Sequence, residues 1–153
     1  MVKPPTQLEG FFARLGPHRE HKWEPLPWQG VANKVLFMDP VTGFTIELAR
    51  TERGATFPEH YHTTMQTLFL VEGRLRTGDD VIEPGTFNVI PAGQLHGPFV
   101  AEEDTIQFKV FSSLPVYILT DGSVHIYKRD GRTIAAGRLD FVHELAGANF
   151  VAD

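Results

Sequence analysis

The sequence predicts an all-β protein folded as a sandwich or a barrel. Apolar runs are short, the 14 glycines and 11 prolines are spread between them, and helical periodicity is confined to the two ends. With 42% hydrophobic and 22% charged residues, the composition is that of an ordinary globular protein. A chain of 153 residues suits one domain better than two, so we expect a single domain over residues 1–153.

Residues 1–30 are predicted to form an arm that precedes the barrel. A short helix is expected at its start, because apolar residues recur at helical spacing until Gly16 and Pro17 end the run: Leu8, Phe11, Phe12 and Leu15. The stretch WEPLPW over 23–28 holds two prolines that forbid a helix. We expect it to be extended, with its two tryptophans laid on a surface.

Short strands are predicted to fill residues 31–128, the barrel itself. Residues 44–49 alternate apolar and polar side chains, the period-2 pattern of a half-buried strand, whereas Thr67 to Val71 is nearly continuous apolar sequence and predicts burial on both faces. In residues 106–110 the apolar side chains alternate with Gln107 and Lys109, one of which could reach the interior. The dipeptide Asp121-Gly122 and the triplet at 78–80 indicate hairpin turns.

A short C-terminal helix is predicted over residues 138–146. Leu139, Val142 and Leu145 share one helical face, and Gly147 stands just past them as a stop. The domain should therefore be a strand-rich barrel with short helices only at its termini.

Composition also narrows the class of function. A net charge of -5 without a basic stripe argues against a nucleic-acid partner. The absence of cysteine excludes disulfides and thiolate ligands. No apolar run approaches the ~18 residues that a membrane span needs. The first residues also lack the apolar core of a signal peptide, so we expect no membrane partner and a cytoplasmic location.

Two clusters of histidine, glycine and proline carry the chemistry. The first has the form G-x5-H-x-H-x3-Q-x6-G, made of Gly54, His60, His62, Gln66 and Gly73. The second has the form G-x5-P-x-G-x2-H, made of Gly85, Pro91, Gly93 and His96. His60 and His62 lie at i and i+2, which places both rings on one face of a strand. The turns of the second cluster could return His96 to them. Three neutral imidazoles inside an apolar barrel would make a divalent metal site with open positions.

These clusters resemble the paired motifs of the cupin superfamily. Every glycine, proline and histidine of both motifs is present between residues 54 and 100. Two positions depart from them: Gln66 replaces the glutamate of the first motif and Val100 the final asparagine of the second. The resemblance implies a double-stranded β-helix, or jelly-roll, barrel around one metal ion. It also implies that His60, His62 and His96 are metal ligands.

A narrower resemblance suggests an activity. The tryptophan-containing arm and the stretch FSSLPVYILTDGS look like those of the 2,4'-dihydroxyacetophenone dioxygenase group of cupins. Those enzymes, like the acetylacetone-cleaving dioxygenases, hold iron with three histidines. The resemblance implies an Fe(II) dioxygenase that uses O2 to cleave a carbon–carbon bond in a small diketone or hydroxyketone, with Zn, Ni or Mn as alternative metals. Two rivals stay open: an oxygen-independent metal-dependent lyase, isomerase or hydrolase, and a non-catalytic cupin that binds a small molecule.

The remaining site predictions concern one amide, the pocket wall and the subunit contact. Gln66 is expected to ligate the metal or touch a water on it, or else only to hydrogen-bond nearby; it cannot serve as a carboxylate base. The substrate pocket is predicted to be lined by Phe57, Phe99, Gln107 and Phe111, with plain core packing as the alternative. The aromatic arm predicts a homodimer.

Overall fold

The computed structural model describes residues 21–128 and 132–138, and every regular element in these ranges is a β-strand. The N-terminal helix predicted around Leu8 to Leu15 lies outside the described residues. The helix predicted over 138–146 does too, except that Arg138 closes a strand, Thr133–Arg138, which the sequence pattern did not predict. No helix in the described part of the chain is both long and apolar enough to cross a bilayer.

Six antiparallel strands form the larger sheet, in the order β1-β2-β3-β11-β6-β9. Their bounds are β1 Glu24–Pro25, β2 Val31–Met38, β3 Thr45–Thr51, β6 Gln66–Glu72, β9 Phe87–Ile90 and β11 Thr105–Phe111. The central strand β11 pairs along its whole length with β3 and with β6. These three strands supply the wall of the barrel that faces the site.

Two four-stranded antiparallel sheets complete the barrel, in the orders β4-β10-β7-β8 and β14-β13-β12-β5. The first contains β4 Thr56–Phe57, β7 Leu75–Thr77, β8 Asp80–Ile82 and β10 Phe99–Ala101. The second contains β5 His60–His62, β12 Val116–Leu119, β13 Ser123–Tyr127 and β14 Thr133–Arg138. Both predicted hairpins are present, between β7 and β8 and between β12 and β13. One buried apolar cluster joins side chains from all three sheets.

The inner face of the larger sheet is more polar than the alternation pattern suggests. On β3 the buried positions are Thr45, Glu47, Ala49 and Thr51, whereas the apolar residues between them are only half-buried. The burial of β6 on both faces was wrongly predicted, because its outward side chains include Phe69, which is 38% exposed. A barrel with polar groups inside and apolar groups outside its wall reverses the usual interpretation of a period-2 pattern.

The tryptophans of the arm pack within the chain itself. Trp28 lies 4.8 Å from Phe57 and 5.6 Å from Tyr117 between ring centroids. Lys34 and Arg50 lie over the ring of Trp23, at 4.5 and 5.1 Å from its centroid. Within residues 23–28 only Glu24–Pro25 form a strand, paired to β2, and the chain bends at 27–28, so the expected extended conformation is present in part. The surface that the two tryptophans cover belongs to the same chain.

Candidate metal centre

Strand β5 and the turn before β10 bring three histidines together. His60 and His62 flank Tyr61 on β5, and all three residues are buried. His96 forms an isolated antiparallel bridge with His60, each backbone N–H donating to the other's carbonyl at 3.0 and 3.1 Å. The ring centroids of His60 and His96 are 4.1 Å apart, and those of His62 and His96 are 5.0 Å apart. The i, i+2 pair and the distant third histidine therefore converge as the spacing predicted.

Two glycines of the motifs show why the spacing is needed. Gly93 has φ of 77°, in the left-handed region, and its N–H donates to the carbonyl of His62 at 2.8 Å. This bond docks the turn that carries His96 onto the strand that carries His62. Gly73 has φ of 80°, and a Cβ there would collide with the carbonyl of Asp104. A side chain at position 93 would strain the turn that carries His96, and one at position 73 would displace the backbone at Asp104.

Backbone carbonyls hold each imidazole in one tautomer. The Nδ1 atoms of His60, His62 and His96 lie 2.6, 2.9 and 2.9 Å from carbonyl oxygens of Pro58, Val116 and Gln94, respectively. A carbonyl only accepts, so we infer that each Nδ1 carries the proton and each Nε2 keeps a lone pair. The Nε2 atoms of His60 and His62 are 3.1 Å apart, and the Nε2 of His96 is buried without a hydrogen-bond partner.

These lone pairs fit a divalent ion. Two nitrogens each about 2.1 Å from one ion, at a right angle, would lie about 3 Å apart, close to the separation of the first pair. The ligand atoms of the three rings all lie within 4.8 Å of one another. Imidazole donors suit iron, zinc, nickel and copper alike, so the geometry indicates a metal without selecting which.

The rings are held neutral, as metal ligands need to be. Burial lowers the pKa of His60 and of His62 well below the ordinary value, and the charges of neighbouring histidines lower both further. Burial also lowers the pKa of His96, to about 4, against the opposing effect of the Gln94 carbonyl. Protons therefore compete weakly with a metal ion for these nitrogens near neutral pH.

Gln66 stands beside the histidines at the start of β6. Its side chain is 2% exposed and lies beside the ring of His62, whose pKa it raises against the larger lowering effect of burial. Its Oε1 is buried and has no hydrogen-bond partner. A buried amide oxygen without a donor is costly unless a cation or a ligand satisfies it. The Oε1 of Gln66 is thus an unsatisfied acceptor beside the histidine cluster.

Three of the four predicted pocket residues contact the histidines. Ring centroids lie 4.8 Å apart for Phe57 and His60, 6.1 Å for Phe99 and His96, and 5.1 Å for Phe111 and His62. Gln107 is placed differently: its Nε2 donates to the hydroxyls of Thr51 and Thr105, both at 3.2 Å. This amide is held in a polar cluster between β3 and β11.

Sequence reasoning missed Tyr117 and Glu47 in the site's surroundings, and it left open whether Gln107 or Lys109 reaches the interior. Tyr117 packs its ring 5.3 Å from His60 and 4.8 Å from His62, and its hydroxyl lies 2.7 Å from that of Tyr127. Glu47 and Lys109 are buried opposite each other on β3 and β11. The signal for the last two was their polarity on otherwise apolar strands; Tyr117 carried no signal, because aromatic residues fill any β core.

Comparisons with known proteins agree with this fold. A family model described as the ChrR cupin-like domain matches residues 15–114. No curated protein is detectably similar to the chain. An RmlC-like cupin protein from Ralstonia eutropha JMP134 is similar in structure, with a TM-score of 0.57, 28% identity, and coverage of 65% of this chain and 68% of its own.

Two further solved structures share the fold at lower identity. One is an acetylacetone dioxygenase from Acinetobacter johnsonii, with a TM-score of 0.55, 16% identity, and coverage of 76% of this chain and 78% of its own. The other is a putative acetylacetone dioxygenase from Methylibium petroleiphilum PM1, with a TM-score of 0.56, 19% identity, and coverage of 85% and 91%. At such identity the likeness concerns the fold alone.

Proposed function

From the premise that this chain belongs to the ChrR cupin-like domain family, we propose that its metal centre is that of a non-haem Fe(II) dioxygenase. The substrate class proposed is a small diketone or hydroxyketone, cleaved at a carbon–carbon bond with O2. The observation that carries the proposal is the donor set: three neutral imidazoles beside a neutral amide at Gln66. The two structures described as acetylacetone dioxygenases are consistent with it, but too distant in sequence to support more than the fold.

A neutral donor set favours a ligand that brings its own negative charge. The three histidines and Gln66 leave the charge of a divalent ion uncompensated, so an enolate that chelates through two oxygens would bind better than a neutral ketone. A bound Fe(II) ion would supply Lewis acidity and the electrons that O2 needs.

Backbone carbonyls and aromatic side chains have distinct tasks in this proposal. Pro58, Val116 and Gln94 fix the three rings through their carbonyls, which keeps the Nε2 atoms aimed at one point. Phe57, Phe99 and Phe111 surround the rings with apolar surface and limit water around a reactive carbanion.

The proposal is tested by oxygen consumption. Protein purified anaerobically and loaded with Fe(II) should consume O2 with at least one member of a panel of β-diketones and hydroxyacetophenones, and His62→Ala protein should not. Uptake no faster than that of metal-free protein across the whole panel would reject the dioxygenase.

An oxygen-independent proton-transfer enzyme is the second candidate. The observation in its favour is the buried Glu47, whose pKa burial raises to about 7 and which could therefore exchange a proton near neutral pH. Turnover of the same panel under nitrogen by zinc-loaded protein, lost in Glu47→Gln protein, would select this candidate.

Cytoplasmic location and a homodimer are proposed as well. Trp23 and Trp28 pack within the chain, so we propose that the subunit contact is made by apolar side chains exposed on the outer face of β6 and β9. Phe87 there is 61% exposed and Val89 53% exposed. We expect a dimer in light scattering at micromolar concentration and a monomer for Phe87→Glu. Val41→Glu, at a 90% exposed loop position, should remain dimeric; a monomeric wild-type protein would contradict the proposal.

A further inference from the structure

A lysine inside the barrel lacks a hydrogen-bond acceptor. Lys109 projects inward from β11 and is 5% exposed. Among the described residues its ammonium makes no hydrogen bond, and no ion pair within 4.0 Å. An ammonium so enclosed keeps few water contacts, and an anionic oxygen would supply the acceptor that the described residues do not. The group is therefore in place to receive an anionic oxygen.

The position of Lys109 relates it to the histidines. Its Nζ lies 5.0 Å from the centroid of the Phe57 ring, which in turn packs on His60. Its charge also contributes to the lowered pKa of all three histidines, after the larger effect of burial. A ligand of a few carbons that is bound at the histidines would be long enough to contact Lys109 as well.

The partner opposite Lys109 does not satisfy it. Glu47 is its register partner on β3 and is 0% exposed. However, Oε2 of this carboxyl accepts from Nδ2 of Asn33 at 3.4 Å, and Oε1 has no partner. Burial lowers the pKa of Lys109, and the negative charge of Glu47 opposes that lowering. Glu47 therefore helps to keep Lys109 charged while leaving its N–H groups free.

A second lysine of the same sheet serves as a comparison. Lys34 on β2 is also buried, at 3% exposure, and its ammonium lies over the ring of Trp23. It is not among the charges that shift the pKa of the histidines. Two lysines of similarly low solvent exposure thus differ in whether they act on the site.

We propose that Lys109 is the anion-binding residue of the site, and that the ligand is a small dicarbonyl compound bearing a carboxylate. The dicarbonyl end would bind at the histidines and the carboxylate would accept hydrogen bonds from Lys109. The first half of this assignment rests on the proposed function; the second rests on Lys109 itself. Neutral metal donors, an ammonium and a single carboxyl leave the interior positive, and a ligand with two anionic groups would balance it.

The test compares two probes that differ in one group. Zinc-loaded protein, which does no redox chemistry, is titrated at pH 7 by calorimetry with acetylacetone and with 2,4-dioxopentanoate, in which a carboxylate replaces one methyl group. Wild-type protein should bind 2,4-dioxopentanoate about tenfold tighter or more, as expected for one charge-assisted hydrogen bond.

The ratio of the two dissociation constants decides the role of Lys109. Lys109→Met should bring the ratio close to one, Lys109→Arg should keep part of the preference, and Lys34→Met should keep all of it. A carboxylate can also bind zinc directly, so a wild-type ratio that persists in Lys109→Met would overturn the proposal. An absence of preference in wild-type protein would overturn it equally.

A double variant controls for the possibility that Lys109→Met protein misfolds. Lys109→Met leaves Glu47 buried without its counter-charge, so the titration is repeated with Glu47→Gln/Lys109→Met, in which neither group is charged. The double variant should also lose the preference. Failure of O2 uptake would reject the dioxygenase without affecting the ratio of dissociation constants. A ratio unchanged in both variants would reject the role of Lys109 without affecting the test of O2 uptake.

Discussion

At the scale of single residues, the metal should depend on histidines of the cluster and not on histidines elsewhere. His62 contributes an Nε2 lone pair beside that of His60, whereas His125 packs its ring 5.5 Å from Trp28. We expect His62→Ala to lower metal content, measured by mass spectrometry after loading and desalting, from about one ion per chain to a small fraction of that. His125→Ala should retain the ion; a loss in both variants would mean that the cluster is not the site.

Because Gln66 carries a neutral amide, the donor set at the site has no negative charge. Gln66→Glu should bind zinc about tenfold tighter or more in a competition titration, because a carboxylate beside the ion offsets charge that the amide leaves. It should also weaken binding of 2,4-dioxopentanoate. Gln66→Met keeps the volume and removes the oxygen, so an unchanged zinc affinity in that variant would show that the amide does not ligate.

At the scale of elements, strand positions could be predicted but their inner faces could not. Both hairpins and the convergence of His96 on β5 followed from turn chemistry and motif spacing. The face of β6 that carries Phe69 was wrongly predicted to be buried, and Glu47 was not recognised as an interior residue. The pattern left open which of Gln107 and Lys109 reaches the interior, where both are buried. The physical reason is that a barrel built around a polar site buries threonine, glutamate, glutamine and lysine. Apolar alternation then no longer marks the inside.

The buried pair across β3 and β11 makes a prediction about pH. Burial raises the pKa of Glu47 from 4.5 to about 7, and the charge of Lys109 opposes that rise. Because the folded state then holds a proton that the unfolded state releases, this group stabilises the fold at low pH and its contribution is lost as pH rises from about 4.5 through 7. Removing Lys109 takes away the opposing charge and should raise the pKa of Glu47 further.

Between pH 5 and pH 8 the free energy of unfolding should therefore fall further in Lys109→Met than in wild-type protein. The extra loss should be on the order of 1–3 kcal/mol. Urea unfolding of chelator-treated protein at the two pH values measures this. Glu47→Gln/Lys109→Met, which has no group to titrate, should lack the extra loss. Parallel pH dependence in the single and double variants would show that Glu47 is not the titrating group.

At the scale of the whole molecule, the fold class followed from composition, turns and motifs, since these report local geometry that any barrel of this kind needs. The packing of the arm onto Phe57 and Tyr117 did not follow, because a proline-rich aromatic stretch fits a subunit contact as well as an intramolecular one. What surrounds the metal is set by side chains from the arm and all three sheets, brought together only by the closed barrel.

Closure of the barrel around the histidines couples metal binding to global stability. A metal ion would tie β5 to the turn that carries His96, a segment otherwise attached to β5 by two backbone hydrogen bonds and the bond from Gly93. At zinc about 100-fold above its dissociation constant, the folded state should gain about 2.7 kcal/mol. For a domain of this size that corresponds to a rise in Tm of roughly 5–11 °C. Scanning calorimetry of wild-type protein with and without zinc measures the rise. His96→Ala, which removes one ligand and keeps the backbone bridge, should show little of it; an equal rise in that variant would place the stabilising zinc elsewhere on the protein.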